Sequence, residues 1–231
     1  MLASKVYEGR KVFYRTESSD ERVLREVIEK KCYQRRSAGF DVERGERWLD
    51  LGANIGAFAV YCALRGAQAV CYEPEPECFK ILNKNVPEFT LYNTAISALP
   101  NGALNFYSSP LAANYYRGTL IAPRSVKKVS QIKNKHAKFL CSQKFDGVKL
   151  DIEGSEGPLL DQWLLPRCKK IVFEYHTSRD TSMANFSRRM KQLRKRFEHV
   201  FYPAEFDRAL ERGDETYKAW NDRVIWAWGS R

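Results

Sequence analysis

Short apolar segments alternate with amphipathic ones from residue 47 to the end of the chain, and this alternation restricts the fold more than any other feature. Residues 47–51, 69–73, 89–96, 148–152 and 171–175 read as strands, and 55–65, 75–85, 155–164 and 183–197 as helices. Strands separated by helices of ten or so residues require right-handed crossovers, so the expected class is α/β, with a largely parallel sheet and helices on both faces. The continuous apolar run Ile171-Val172-Phe173 suits a strand covered on both sides. Residues 199–202 and the alternating 223–228 read as the last two strands. Ahead of the core, 12–14 reads as a strand, and Ser18-Ser19-Asp20-Glu21 opens a helix reaching about Tyr33. Gly102 marks a turn before a strand at 103–107. The expected organisation is one domain: an N-terminal extension over 1–44, then a core over 45–231 with a basic insertion at 110–145.

Composition narrows the function classes. The 231 residues carry 13 Phe, 12 Tyr and 5 Trp, too much aromatic surface for an unfolded chain. No apolar run approaches the ~20 residues of a membrane span, and Met1-Leu2-Ala3-Ser4-Lys5 lacks a signal-peptide core. The six cysteines form no CxxC pair, which suggests reduced thiols and a cytoplasmic setting. The formal charge of +11 is concentrated: eight Lys/Arg and no acid from Arg117 to Lys144, then seven Lys/Arg against Asp180 alone from Arg179 to Arg196. Such stretches can mark a polyanionic partner. The second also reads as the wet face of an amphipathic helix that buries Phe186, Met190, Leu193 and Phe197.

The segment Trp48-Leu49-Asp50-Leu51-Gly52-Ala53-Asn54-Ile55-Gly56 runs from a strand through a glycine turn into a helix. Gly52 and Gly56 permit backbone angles and a close ligand approach that a Cβ would block. Glu73 ends the next strand, where a carboxylate can accept both hydroxyls of an adenosine ribose. Dinucleotide loops use GxGxxG to bring a helix N-terminus against a pyrophosphate. Here the pattern is Asp-x-Gly-x-Asn-x-Gly, with Asp50 placed to repel a diphosphate and to pair with a ligand ammonium. S-adenosylmethionine carries an ammonium and a sulfonium and no phosphate, so the loop favours it over a nucleotide or a purely structural turn. The expected cofactor contacts are Asp50, Gly52, Ala53, Asn54, Ile55, Gly56, Glu73 and Pro74.

Three segments resemble the FkbM family of class I S-adenosylmethionine-dependent methyltransferases: Leu49 to Gly56 with Tyr72-Glu73-Pro74, then Phe145 to Glu156, then Ile171 to His176. The second matches the family pattern D-x-x-K-x-D-x-E-G-x-E from Asp146 to Glu156 at every named position. The resemblance covers about residues 45–178. It implies a Rossmann-like sandwich, a seven-stranded sheet whose last strand is antiparallel, and adenine contacts at Ala95. It also implies methyl transfer to a hydroxyl, commonly on a sugar or natural-product scaffold, with S-adenosylhomocysteine as the second product.

A sugar hydroxyl is a weak nucleophile until a positioned base accepts its proton. Asp151 ends the fourth core strand, Glu153 follows it, and His176 lies just past the fifth. Asp151 and His176 are expected to act as base and partner, with Glu153 beside them and Glu174 orienting the substrate. Asn114-Tyr115-Tyr116-Arg117, in the insertion, is a candidate substrate contact through stacking and a cationic fork. Glu156 reads as a helix-capping residue. A divalent cation held by Asp151 and Glu153 is a less favoured alternative, and no metal ligand set is assigned. The competing function is ribose or cap methylation of RNA. Its Lys-Asp-Lys-Glu constellation needs a lysine where this chain has Glu174-Tyr175-His176.

Overall fold

The computed structural model describes residues 1–111, 115–119, 128–176, 183–204, 206 and 223–230. Its centre is a seven-stranded sheet built from β3 (Arg47–Leu51), β4 (Gln68–Tyr72), β5 (Thr90–Tyr92), β10 (Gly147–Leu150), β11 (Lys170–Tyr175), β12 (Phe197–Phe201) and β13 (Arg223–Ser230). The spatial order is β12-β13-β11-β10-β3-β4-β5. Strands β5, β4, β3, β10 and β11 run parallel, while β13 lies antiparallel to both β11 and β12. The expected α/β class and antiparallel final strand are therefore present. Chain order reverses direction in space between β3 and β10, the switch point at which open parallel sheets bind ligands.

Alternation along each strand sorts side chains onto two cores. Leu49, Leu51, Val148 and Leu150 face one, together with Phe186, Met190 and Leu193 of helix α5 (Met183–Arg194). Trp48 faces the other, among residues of α2 (Ala57–Leu64) and α3 (Pro76–Asn85). The apolar stripe of α5 is buried as its sequence period predicts. Its cations face outward except Arg189, which is buried against Asp161 and the Tyr175 hydroxyl.

Several elements differ from expectation. A strand β1 (Leu2–Tyr7) pairs antiparallel with β2 (Arg10–Arg15), turning through Glu8 and Gly9, both at positive φ. The N-terminal helix is short: α1 (Asp20–Leu24) passes into a π-helical turn at Arg25–Glu29. The strand expected over 89–96 breaks in two. Asn93 donates its amide hydrogens to the carbonyls of Glu73 and Pro74, and the chain turns there. Strand β5 stays in the main sheet, and β6 (Ala95–Ser97) leaves it. The basic insertion contributes β8 (Tyr115–Thr119) and β9 (Lys128–His136) to a second sheet completed by β6 and β7 (Gly102–Leu111), in the order β6-β9-β7-β8.

Gly147 lies opposite Trp48, and a Cβ there would come within 2.5 Å of the indole ring. Gly147→Ala should lower stability by about 1–3 kcal/mol through overpacking. Urea unfolding checks this, and an unchanged midpoint would contradict the packing described.

Candidate active site

The site begins with a charge placed inside a strand. Asp50 is fully buried in β3, and its neighbour across the ladder is Lys149 of β10. Lys149 Nζ lies 3.2 Å from Asp50 Oδ1 and 3.6 Å from Asp151 Oδ2, and donates to the Gly52 carbonyl at 2.7 Å. Burial works against the lysine charge, but Asp50 and then Asp151 outweigh it and hold the ammonium well above its ordinary pKa. Burial pushes the Asp50 carboxyl up, and Lys149 pulls it back. This corrects the expectation for Asp50: the ammonium it meets belongs to the protein, and Asp50 lines neither of the two clefts described below.

The glycine turn follows. Gly52 has φ +80°, and its N–H and that of Ala53 both donate to the Tyr72 carbonyl. A Cβ on Gly52 would fall 1.8 Å from the Asp151 carbonyl oxygen, so the close approach here is between strand ends. Gly56, at φ +88°, has Leu82 of α3 against the place a Cβ would take. Gly56 and Ile55 therefore serve helix packing, and Ile55 is buried with its carbonyl bonded to Asn85. Asn54 turns outward through a left-handed φ of +51°, and its Oδ1 is buried with no hydrogen-bond partner.

Two open clefts meet at this turn. The first, about 690 Å³, is lined by Gly52, Asn54, Glu73, Pro74 and Ala95 of the expected contacts, by Thr94, and by Ile96 and Phe106 of the second sheet. The buried Glu73 accepts N–H bonds from Asn54 (2.7 Å) and Glu75 (2.8 Å), one on each oxygen. Each oxygen can accept a further hydrogen bond, and Glu73 lines the cleft, which fits a vicinal diol. Burial raises its carboxyl to about 7. The orphaned Asn54 Oδ1 and this carboxylate together suit a ligand with a ribose and an ammonium. The second cleft, on the far side of the turn, is lined by Ala53, Tyr33, Glu26, Arg22 and Glu174. Gly52, Asn54, Asp151 and Glu153 line both.

At the ends of β10 and β11 the expected catalytic group does come together. Tyr33 donates its hydroxyl to Asp151 Oδ2 at 3.1 Å. His176 is buried, with Nε2 3.3 Å from Glu153 Oε2 and 3.9 Å from Asp151 Oδ1. Nδ1 lies 3.0 Å from Glu156 Oε1. Burial disfavours the imidazolium, yet the charges of Glu156 and Glu153 prevail and raise its pKa well above 6.5. One ligand atom each from Asp151, Glu153 and His176 falls within 4.8 Å of the others, close enough to hold a metal ion. Glu156 is not a simple helix cap: it accepts the N–H groups of Ile152 and Gly154, ahead of helix α4 (Glu156–Asp161).

Of the insertion residues, Asn114 lies outside the described residues. Tyr115, Tyr116 and Arg117 stand in β8, the outer strand of the second sheet, farthest from β6. Sequence reasoning missed Lys149, Glu156 and Tyr33. A lysine between apolar residues of a buried strand signals an internal counter-charge, and Glu156 closes the motif already quoted. Only the fold brings Tyr33 to Asp151.

A sequence profile described as Methyltransferase FkbM domain matches residues 50–201. A curated relative, Methyltransferase sdnD of Sordaria araneosa, is 31% identical over 139 residues, covering 55% of this chain and 48% of its own. The chain thus spans about half the length of that relative. Among solved structures, a 16S rRNA methyltransferase of T. thermophilus in complex with AdoMet and guanosine aligns with a TM-score of 0.49 at 12% identity, over 100% of this chain and 45% of that one. The C-terminal domain of a precorrin-6Y methyltransferase from Rhodobacter capsulatus aligns with a TM-score of 0.44 at 14% identity, over 94% and 93%.

The Glu73 carboxyl gives a pH signature. The folded form keeps its proton to about 7, against 4.5 ordinarily, so the folded state binds more protons across that window. The contribution of this group to stability therefore declines as pH rises from 4.5 through 7. A carbon-13 NMR titration should place the Glu73 carboxyl midpoint near 7. A midpoint at the ordinary carboxylate value would contradict its burial.

Proposed function

The chain belongs to the FkbM methyltransferase domain family, and from that premise we propose that it methylates a hydroxyl of a sugar or glycosylated small molecule, using S-adenosylmethionine. The observation that carries the acceptor class is the second cleft. The carboxylates of Glu26, Asp151, Glu153 and Glu174 line it, against the cations Arg22 and Lys149, and Lys149 is already engaged by Asp50. A wall of hydrogen-bond acceptors suits a neutral, hydroxyl-rich acceptor and repels a phosphodiester.

The cofactor would lie in the first cleft, its ribose hydroxyls on Glu73, its ammonium toward Asn54 Oδ1 and its adenine between Ala95, Ile96 and Phe106. When bound, it supplies a methyl group already activated on a positively charged sulfur. The protein's part is alignment, exclusion of water and removal of a proton. Asp151 and Glu153 both line the two clefts; of the two, Asp151, whose carbonyl packs on the Gly52 turn, is proposed to touch the acceptor hydroxyl and take its proton. Tyr33 fixes one oxygen of that carboxylate. His176 lines neither cleft and acts behind Asp151 and Glu153 as a positioning residue. Glu174 and Glu153 orient the acceptor.

Methylation of RNA is the alternative. Arg188 and Arg189 of α5 pair with Asp161, while among the described residues Lys133, Lys135, Lys138 and Lys144 are exposed and are its basis. Labelled S-adenosylmethionine incubated with a glycan panel and with short capped RNA separates the two. Label in glycan is the expected result, and label in RNA alone would overturn the sugar reading. Asp151→Asn should bind S-adenosylmethionine nearly as the parent does while turnover falls at least about a hundredfold. Full turnover in that variant would remove Asp151 from the chemistry.

A further inference from the structure

We propose that Asp151, Glu153 and His176 bind one divalent cation where the two clefts join. The donors come from the segments that follow β10 and β11: Asp151 Oδ1, Glu153 Oε2 and His176 Nε2. The nitrogen lies 3.3 Å from the Glu153 oxygen and 3.9 Å from the Asp151 oxygen, and all three donors fall within 4.8 Å of one another. Ligands at about 2.0–2.4 Å from one ion sit roughly 3–3.4 Å apart when adjacent and roughly 4–4.8 Å when opposite, so these spacings span a single coordination shell.

The second observation is the histidine itself. Its side chain is 2% exposed, and neither ring nitrogen makes a hydrogen bond, although Nε2 is aimed at two carboxylates. Glu156, pinned by the amides of Ile152 and Gly154 at 2.8 and 2.9 Å, stands 3.0 Å from Nδ1. With Glu156 at Nδ1, a cation at Nε2 takes the place of the proton that the neighbouring carboxylates otherwise favour there. This is the carboxylate–histidine–metal arrangement that orients ligating imidazoles. The backbone serves the same end, since Glu153 and Gly154 take successive positive φ angles of +52° and +100°. On the other side, Tyr33 and Lys149 approach Asp151 Oδ2, while Oδ1 faces His176. Two carboxylate oxygens with one imidazole form a ligand set of mixed hardness that suits Mn²⁺ or Fe²⁺ better than an all-oxygen Ca²⁺ shell.

Asp151 and Glu153 line both clefts, so the open coordination positions face the place proposed for the acceptor. There a cation can take two neighbouring oxygens of a diol and lower the pKa of the hydroxyl it binds. That use rests on the methyl-transfer reading, but the site does not; with Asp151 Oδ1 ligating the cation, the hydroxyl proton passes to the other oxygen of that carboxylate, Oδ2.

Mn²⁺ titrated into the metal-stripped full chain, with the free ion followed by electron paramagnetic resonance, tests the site directly. One saturable equivalent is expected. Glu153→Gln and His176→Ala should each weaken binding at least about tenfold, the lower end of what supporting ligands contribute. No saturable binding to the parent chain, or equal binding in both variants, would overturn the site. Methyl transfer after chelation keeps the two readings apart. Loss restored by Mn²⁺ supports both, and transfer that survives chelation without Mn²⁺ binding removes the metal and leaves the methyltransferase. Mn²⁺ binding in a chain that fails to bind S-adenosylmethionine keeps the site and removes the proposed function.

Discussion

A lysine charge sealed between two strands organises this protein. Lys149 meets Asp50 across the β3–β10 ladder, holds the Gly52 carbonyl, and lies beside Asp151. Removing charges from water costs several kcal/mol per ion, and only close pairing with hydrogen bonds offsets it. The pairing therefore fixes how the ends of the two strands sit together. The Gly52 turn is pressed so closely against the Asp151 carbonyl that no side chain fits between them. With those strand ends fixed, Asn54 and Asp151 can each border both clefts.

The second consequence concerns the acceptor side. The family profile begins at residue 50, yet Tyr33 and Glu26 come from the segment before it and form part of the second cleft. Tyr33 is held from behind as well, because the indole of Trp226 in β13 donates to its carbonyl. Both ends of the described chain thus bear on the wall facing Asp151. The second cleft is built jointly by this outer segment and by Asp151, Glu153 and Glu174 of the profile.

The core strands and α5 were legible because burial there follows a simple period in apolar residues. The second sheet was legible only at the Gly102 turn and the strand over 103–107, which lies within β7. In β9, Ile132 and Asn134 both face inward, and Asn134 is satisfied by Ser97 and by the Leu99 and Pro100 carbonyls, so a buried polar residue breaks the apolar signal. The break at Asn93 depends on two carbonyls from a different loop. Asp50 was misread for the same reason: a carboxylate beside a glycine turn looks available until the strand carrying its counter-ion is placed next to it. Glu73, Asp151, Glu153 and His176 were singled out from the ends of strands, where parallel sheets expose functional groups. Their mutual distances could come only from the fold.

The organising role of Lys149 has a direct measurement in a double-mutant cycle with Asp50, read by urea unfolding. Lys149→Met alone strands a buried carboxylate and should cost about 3–5 kcal/mol, whereas Lys149→Met combined with Asp50→Asn should recover a large part of that loss. A Lys149→Met chain as stable as the parent would contradict the account.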